Sequence, residues 1–249
     1  MLGLGTSILS PYVAGETGYT NTHSLSLDGA GNGSDADFLD TNTPLQSQFR
    51  NSFSFSLWVK LDDGRPSSNK YFVGASTSNN VIAFQMGASG ALGFTHLSNG
   101  DVALEATDAS VFSDGATDWT HLGLVVTETG GVTGYKIYVN GSQVASSTLL
   151  GISAANQSNY TSSINVAFGA LNASTASGGL DGLIDECAFF DAALTDGEMS
   201  AIGGGGAPTD ITGHDHLFLY YKLNNSTTDE VGNSNGILKG QAAFSTTTP

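Results

Sequence analysis

Apolar and polar residues alternate through Leu122, Leu124 and Val126, the pattern breaks at Gly130-Gly131, and it resumes through Tyr135, Ile137 and Val139. A second break at Asn140-Gly141 leads to Val144. A period of two interrupted by Gly-Gly and Asn-Gly predicts two linked β-hairpins over residues 118–146, a meander on which the rest of the chain is built. The run SFSFSLWVKL carries the same period: Phe53, Phe55, Leu57, Val59 and Leu61 share one face, and Ser54, Ser56, Trp58 and Lys60 the other. The first face is core. Trp58 stands opposite, where it needs a cover of its own.

Shorter runs at 71–73, 81–86, 91–97, 164–168 and 183–190 read as further strands joined by polar, Gly-rich turns. Leu25 and Leu27 alternate ahead of Asp28-Gly29 and an acidic loop at 30–37. Thr195 followed by Glu198 forms a capping box, and the glycines from Gly203 onward stop the helix that it opens. Met199, Ala201 and Ile202 on that helix are candidates to cover the face carrying Trp58. Late in the chain, HDHLFLYYKLNN alternates Leu217, Leu219, Tyr221 and Leu223 on one face. A strand so late must pair with an existing sheet edge, which keeps it in the same domain. The expected organisation is an extended arm over 1–23, docked on a partner or on the domain itself, and one all-β two-sheet antiparallel sandwich over 24–249. Residues 211–249 supply its completing strand and loop.

Composition narrows the classes of function. At 249 residues and 39% hydrophobic, the chain can bury a full core in one domain. Charged residues make up 12%, about half the usual share, and 33 glycines serve the turns. Seven basic residues against 23 acidic give a net charge of −16, which disfavours nucleic acid and anionic membrane surfaces as partners. Cys187 is the only cysteine, so no intrachain disulfide staples the core. The first residues lack the basic flank and apolar run of a secretory signal, and no stretch has the roughly 18 apolar residues of a membrane span.

Candidate chemistry is sparse. A calcium ion, the only cofactor considered, would draw on Asp28, Asp35 and Asp37 of the early loop. The alternative role for these residues is to accept backbone N–H groups of their own turn. A sugar platform would use Tyr160 with Asn156 and Asn159, and Tyr19 is a further exposed-aromatic candidate; otherwise Tyr160 anchors its own loop. His214 and His216 are spaced to share one side of a strand. No Ser-His-Asp set and no phosphate cradle is apparent, so no catalytic residues are expected.

Four motifs in order, HSLSLDG, SFSFSLWVKL, DWTHLGLVV…GYKIYVNGSQV and GLDGLIDECAFFDAALTDGEMSAI, resemble a laminin G-like, pentraxin-like jelly roll of the concanavalin A-like lectin/glucanase group. LFLYYKLNNSTTDEVGNSNGILKG resembles the piece that opens such domains, so the resemblance implies a circularly permuted strand order. The glucanases of the group carry E-x-D-x-x-E along one strand. Here Asp185 and Glu186 are adjacent, and strand neighbours point to opposite faces, whereas retaining hydrolysis needs carboxyls about 5–5.5 Å apart. Pentraxin-type calcium ligands are replaced by Ser78-Asn79-Asn80 and by residues 170–178. The order of helix, linker and last segment is similar to that of marine bacteriophage virion proteins. That likeness implies a non-enzymatic structural virion protein, a capsid decoration or fibre-associated module. Its expected partners are other virion proteins or copies of itself, and its location is the virion. The alternative is a carbohydrate-binding adhesin or receptor-binding module acting on a cell-surface glycan, extracellular or on the cell surface.

Overall fold

The computed structural model describes residues 19–29, 36–129, 132–151, 157–174 and 177–249. Its strands run, in the first half, β1 (Ser24–Asp28), β2 (Phe38–Asp40), β3 (Phe53–Leu61), β4 (Lys70–Ser76), β5 (Asn80–Met86), β6 (Leu92–Ser98) and β7 (Asp101–Thr107). The meander follows as β8 (Thr120–Thr129), β9 (Val132–Val139), β10 (Ser142–Gln143) and β11 (Ser146–Leu150). Then come β12 (Ala167–Phe168), β13 (Asp181–Phe190), the helix α1 (Asp196–Gly203), β14 (Leu217–Tyr221), β15 (Ile237–Lys239) and β16 (Ala243–Ser245). Two antiparallel sheets result. The first has the order β10-β9-β8-β3-β13-β1-β16 with β14 also on β13, and the second the order β11-β7-β6-β5-β4-β12-β2-β15. No helix among the described residues is long and apolar enough to cross a membrane.

The core lies between the sheets, where the alternation of β3 puts it. Phe53, Phe55, Leu57, Val59 and Leu61 all enter it, opposite Phe72, Phe84 and Phe94 of the second sheet. Phe49 wedges edge-on against Phe53 at 5.1 Å and Phe189 at 5.8 Å, a geometry that sets the positive ring edge against the negative face. The serines between these aromatics are buried but satisfied. Ser54 Oγ donates to the Ala192 carbonyl at 2.8 Å and accepts Leu194 N–H at 3.0 Å, and Ser56 Oγ meets His121 Nε2 at 2.9 Å.

At Asn140-Gly141 both residues have positive φ, 48° and 71°, the geometry of a two-residue type I′ hairpin. A Cβ on Gly141 would lie 2.5 Å from Gly204 N, so this turn also seats the end of the helix. Gly130 and Gly131 lie outside the described residues. The third strand of the meander is only two residues in the first sheet; after Val144, whose N–H donates to Ile137 O at 2.9 Å, the chain crosses to pair β11 with β7.

The helix starts at Thr195 with both capping-box hydrogen bonds present. Met199 and Ile202 bury against Val125, Tyr138, Ala188, Phe190 and Tyr220 on the outer face of the first sheet. Gly123 makes room for it: a Cβ there would stand 2.5 Å from the Met199 sulfur. Trp58, 2% exposed, packs edge-on against His121 at 5.6 Å, and Gly203 lies against the same imidazole. The cover of this face is therefore shared between the helix, which reaches His121, and the segment 19–21, which meets Asp185, the register partner of Trp58.

Residues 211–249 contribute more than one completing strand. They add β14 and β16 to the first sheet and β15 to the second. β1 and β16 pair antiparallel, so the first and last described strands lie side by side, the adjacency that a permuted order requires. Of the arm, residues 1–18 lie outside the described residues. Residues 19–23 lie on the domain itself, with the Thr22 and His23 N–H groups both donating to Asn224 Oδ1 at 2.7 and 3.1 Å.

Candidate functional site

The loop carrying Tyr160 is closed. The Tyr160 ring is fully buried, 5.4 Å from Phe49 and 6.2 Å from His96, so it presents no face to a glycan. Gln157 Nε2 donates to Asn51 O at 2.8 Å, Arg50 Nε donates to Tyr160 O at 2.7 Å, and Thr161 N donates to Asn80 Oδ1 at 3.2 Å. These bonds tie the loop down, and Tyr160 is its anchor rather than a platform. Asn159 is exposed beside it, and Asn156 lies outside the described residues. Tyr19 is likewise engaged, its hydroxyl on Glu186 Oε1.

Of the three proposed calcium ligands, two are described, Asp28 and Asp37. Asp37 is buried, and its oxygens are taken by backbone: Oδ2 accepts Asp28 N–H at 3.2 Å and Oδ1 accepts Gln241 N–H at 2.5 Å. It braces the start of β2 against the turn before β16. Asp28 is exposed, and Asp35 lies outside the described residues. Among the described residues no group of three or more His, Cys, Asp or Glu is arranged to hold a metal ion. His214 and His216 lie in turns ahead of β14 rather than on a strand face, and His214 stacks edge-on against Phe190 at 5.0 Å.

Asp185 and Glu186 correct the expectation drawn from strand alternation. A β-bulge falls between Asp185 and Ala188 where the edge partner of β13 changes from β1 to β14, and Glu186 takes φ 51°. The extra residue breaks the period of two, so both carboxyls reach partners on the outer face. Asp185 Oδ2 accepts Asn21 Nδ2 at 2.7 Å and Oδ1 accepts Glu186 N–H at 3.0 Å. Glu186 takes the hydroxyls of Tyr19 and Tyr220, one on each oxygen. Burial raises Asp185 to about 7 and Glu186 to about 8, opposed by those hydrogen bonds and, for Glu186, by Lys222. The pair is enclosed and saturated, and no substrate fits between the two groups.

A different site is open. At one end of the sandwich a cavity of about 200 Å³ is lined by Leu61, Pro66, Met86 and Leu180 and by Asp63, Ser67, Lys70 and Asp181. The four apolar residues are buried; Asp63, Lys70 and Asp181 are half-buried and Ser67 is exposed. Strand ends build it. Asp62 N donates to Asp181 O at 3.2 Å, joining the end of β3 to the start of β13, and Lys70 pairs with Met86 in the ladder of β4 and β5. Asp63 Oδ1 accepts the N–H groups of Arg65 at 2.8 Å and Gly115 at 3.3 Å, which fixes that carboxylate on the wall. Burial, followed by the charge of Asp62, raises the Asp181 carboxyl; Lys70 pulls it back, and Asp28 and Asp63 add smaller pushes upward. Acceptors, an ammonium donor and a hydroxyl around one cavity can hold a polyol by its hydroxyls. Sequence reasoning passed over this site because its residues come from three separate segments, 61–70, Met86 and 180–181; the turn string Asp62-Asp63-Gly64 was its one local signal.

A family model for a laminin G family of the concanavalin A-like lectin/glucanases superfamily matches residues 28–200. Comparison with curated proteins found no match. Among solved structures, the chain is similar to a protein of Bacteroides ovatus named for carbohydrate binding, at 19% identity and TM-score 0.64, over 92% of this chain and 60% of that one. It thus spans about 60% of that protein's length. It is similar to a heptameric SAP-like pentraxin from Limulus polyphemus at 12% identity and TM-score 0.55, over 91% of this chain and 96% of that one. A third likeness, at 14% identity and TM-score 0.51, is to the CBM40 module of the Ruminococcus gnavus IT-sialidase bound to α2,3-sialyllactose, over 72% of this chain and 97% of that one. At these identities the likeness is one of fold. These findings overturn the expectation of a structural virion protein, and with it the virion location and virion-protein partners. Those three structures are a pentraxin, a protein named for carbohydrate binding and a sialyllactose-bound CBM40. Among the described residues, the acids Asp185 and Glu186 of β13 are closed off, with each carboxylate oxygen on a protein donor.

Proposed function

Because this chain belongs to the laminin G branch of the concanavalin A-like lectin/glucanases superfamily, we propose that it is a carbohydrate-binding module working in an extracellular or cell-surface setting. Its sugar seat is the end pocket. The observation that carries this reading is the make-up of that pocket: two carboxylates, one ammonium and one hydroxyl, backed by buried apolar side chains, in a volume suited to a single sugar ring. The fold supports it, since rigid strand ends hold the polar groups in place without loop closure. Residues 24–249 act as one unit, and residues 19–21 lie on the outer face of the first sheet, away from the end pocket.

A single small pocket binds one sugar weakly, and a homo-oligomer presenting several copies would turn that into avidity. The heptameric pentraxin of similar fold supports such an assembly. The test is binding of the full chain to an immobilised panel of glycans, with soluble sugar as competitor. Retention on at least one glycan, reversed by the free sugar, is expected; silence across the panel sinks the reading.

A further inference from the structure

Resting on the carbohydrate-binding reading, we propose that the end pocket takes a pyranose without acidic groups and turns away sialic and uronic acids. The argument is a census of cations. The chain has seven basic residues, and five are engaged elsewhere. Lys136 pairs with Asp196 at 2.7 Å, Lys222 with Asp210 at 3.1 Å, and Lys239 with Asp40 at 3.5 Å. Arg50 donates to Tyr160 O at 2.7 Å, and Arg65, exposed on the loop between Asp63 and Pro66, turns its Nε to Phe112 O at 3.3 Å and does not line the cavity. Lys60 lies on the outer face of β3 beside Leu183, away from the cavity lining.

Only Lys70 remains to line the cavity, and it makes no ion pair among the described residues. A carboxylate-bearing sugar is recognised by a guanidinium fork or by paired cations, and this pocket has neither. It would set the sugar's carboxylate beside Asp63 and Asp181, with Asp62 and Asp28 close enough to act on Asp181. A neutral hydroxyl, in contrast, donates to a carboxylate and accepts from an ammonium. The arrangement thus suits two hydroxyls given to Asp63 and Asp181 and one oxygen held by Lys70. The fold shared with a sialyllactose-bound module therefore does not bring that module's ligand class with it.

The experiment compares matched pairs on one panel: lactose against α2,3-sialyllactose, and glucose- or galactose-terminated chains against their uronic acid counterparts. At least one neutral member should bind, with its acidic partner at least ten-fold weaker. Asp181→Asn and Lys70→Ala should each weaken the neutral ligand about ten-fold with thermal unfolding unchanged. Equal or tighter binding of the acidic partner overturns the proposal. Neutral binding that neither substitution alters overturns the placement in this pocket. If no glycan of either class binds, the carbohydrate reading itself falls, and this inference falls with it.

Discussion

The two acidic sites of this sandwich differ in enclosure more than in composition. On the outer face, Asp185 and Glu186 have every oxygen occupied by an amide, a backbone N–H or a tyrosine hydroxyl. At the sheet end, Asp63 and Asp181 stand half-buried around a cavity that Lys70 also lines. The first pair has the more perturbed carboxyls and is the less able to bind anything. A raised pKa marks burial, and burial marks function only where a cavity reaches the group. A bulge at a change of strand partner served to place two acids in the sheet as internal braces, while plain strand ends built the open site.

Removing a brace should have the largest effect. Glu186→Ala leaves the buried Tyr220 hydroxyl without its acceptor, and about 1–3 kcal/mol of stability should be lost in urea unfolding. Glycan affinity of the folded fraction should not move. If affinity falls while stability holds, the roles of the two sites are reversed.

Next in size is the pH profile. Asp185 and Glu186 have folded values raised to about 7 and 8, so the folded state keeps their protons where the unfolded chain has released them. Their contribution is complete below the ordinary carboxylate range and is lost as pH rises through 7 and 8. His96 and His121 have the opposite sign: burial lowers them to about 4 and 3, so their contribution is lost as pH falls below 6.5. Between pH 6.5 and about 4.5 the two proton differences offset, and stability should be flat. Above pH 6.5 only the carboxyls count, and roughly 2 kcal/mol should disappear by pH 8.5. Asp185→Asn with Glu186→Gln should abolish that fall and uncover the acid-side loss. A urea midpoint that rises from pH 6.5 to 8.5 in the native chain would contradict this account.

The smallest expected effect sharpens the comparison from the other side. Asp181→Asn removes a half-buried charge crowded by Asp62, so stability should change by less than about 0.5 kcal/mol, and upward if at all. A loss above 1 kcal/mol in a thermal melt would make Asp181 a brace like Glu186.

The sandwich was legible where alternation and turn chemistry agree. β3, β8 and β9 follow their period of two, and Thr195 with Glu198 places the helix start. β7 was passed over for a physical reason. Its core-facing residues are Ala103, the buried Glu105 and Thr107, while Val102 and Leu104 are half-buried on the other face, so the polar pattern is inverted. Glu105 is tolerated there because Thr148 of the edge strand β11 donates to it at 2.6 Å. The turn ahead of β7, Asn99-Gly100 with φ of 51° and 100°, was a signal that could have revealed it. The bulge at Glu186 was not legible, because nothing local marks where β1 hands its edge to β14. For Tyr160 the polar loop left two roles open, platform or anchor, and the burial that separates them comes from Gln157 and Asn80, which fold the loop onto the core. The virion reading rested on segment order, which carries no chemistry.

The pairing of β1 with β16 has a mechanical consequence. Ser24 lies opposite Ser245, Leu25 opposite Phe244 and Ser26 opposite Ala243, so a pull applied at Ser24 and Ser245 meets the ladder at its end. The rungs then break in succession, like a zip, instead of resisting together in shear. Anchored through these two points, the module would let go of its last strand under tension before the aromatic core between the sheets feels any load.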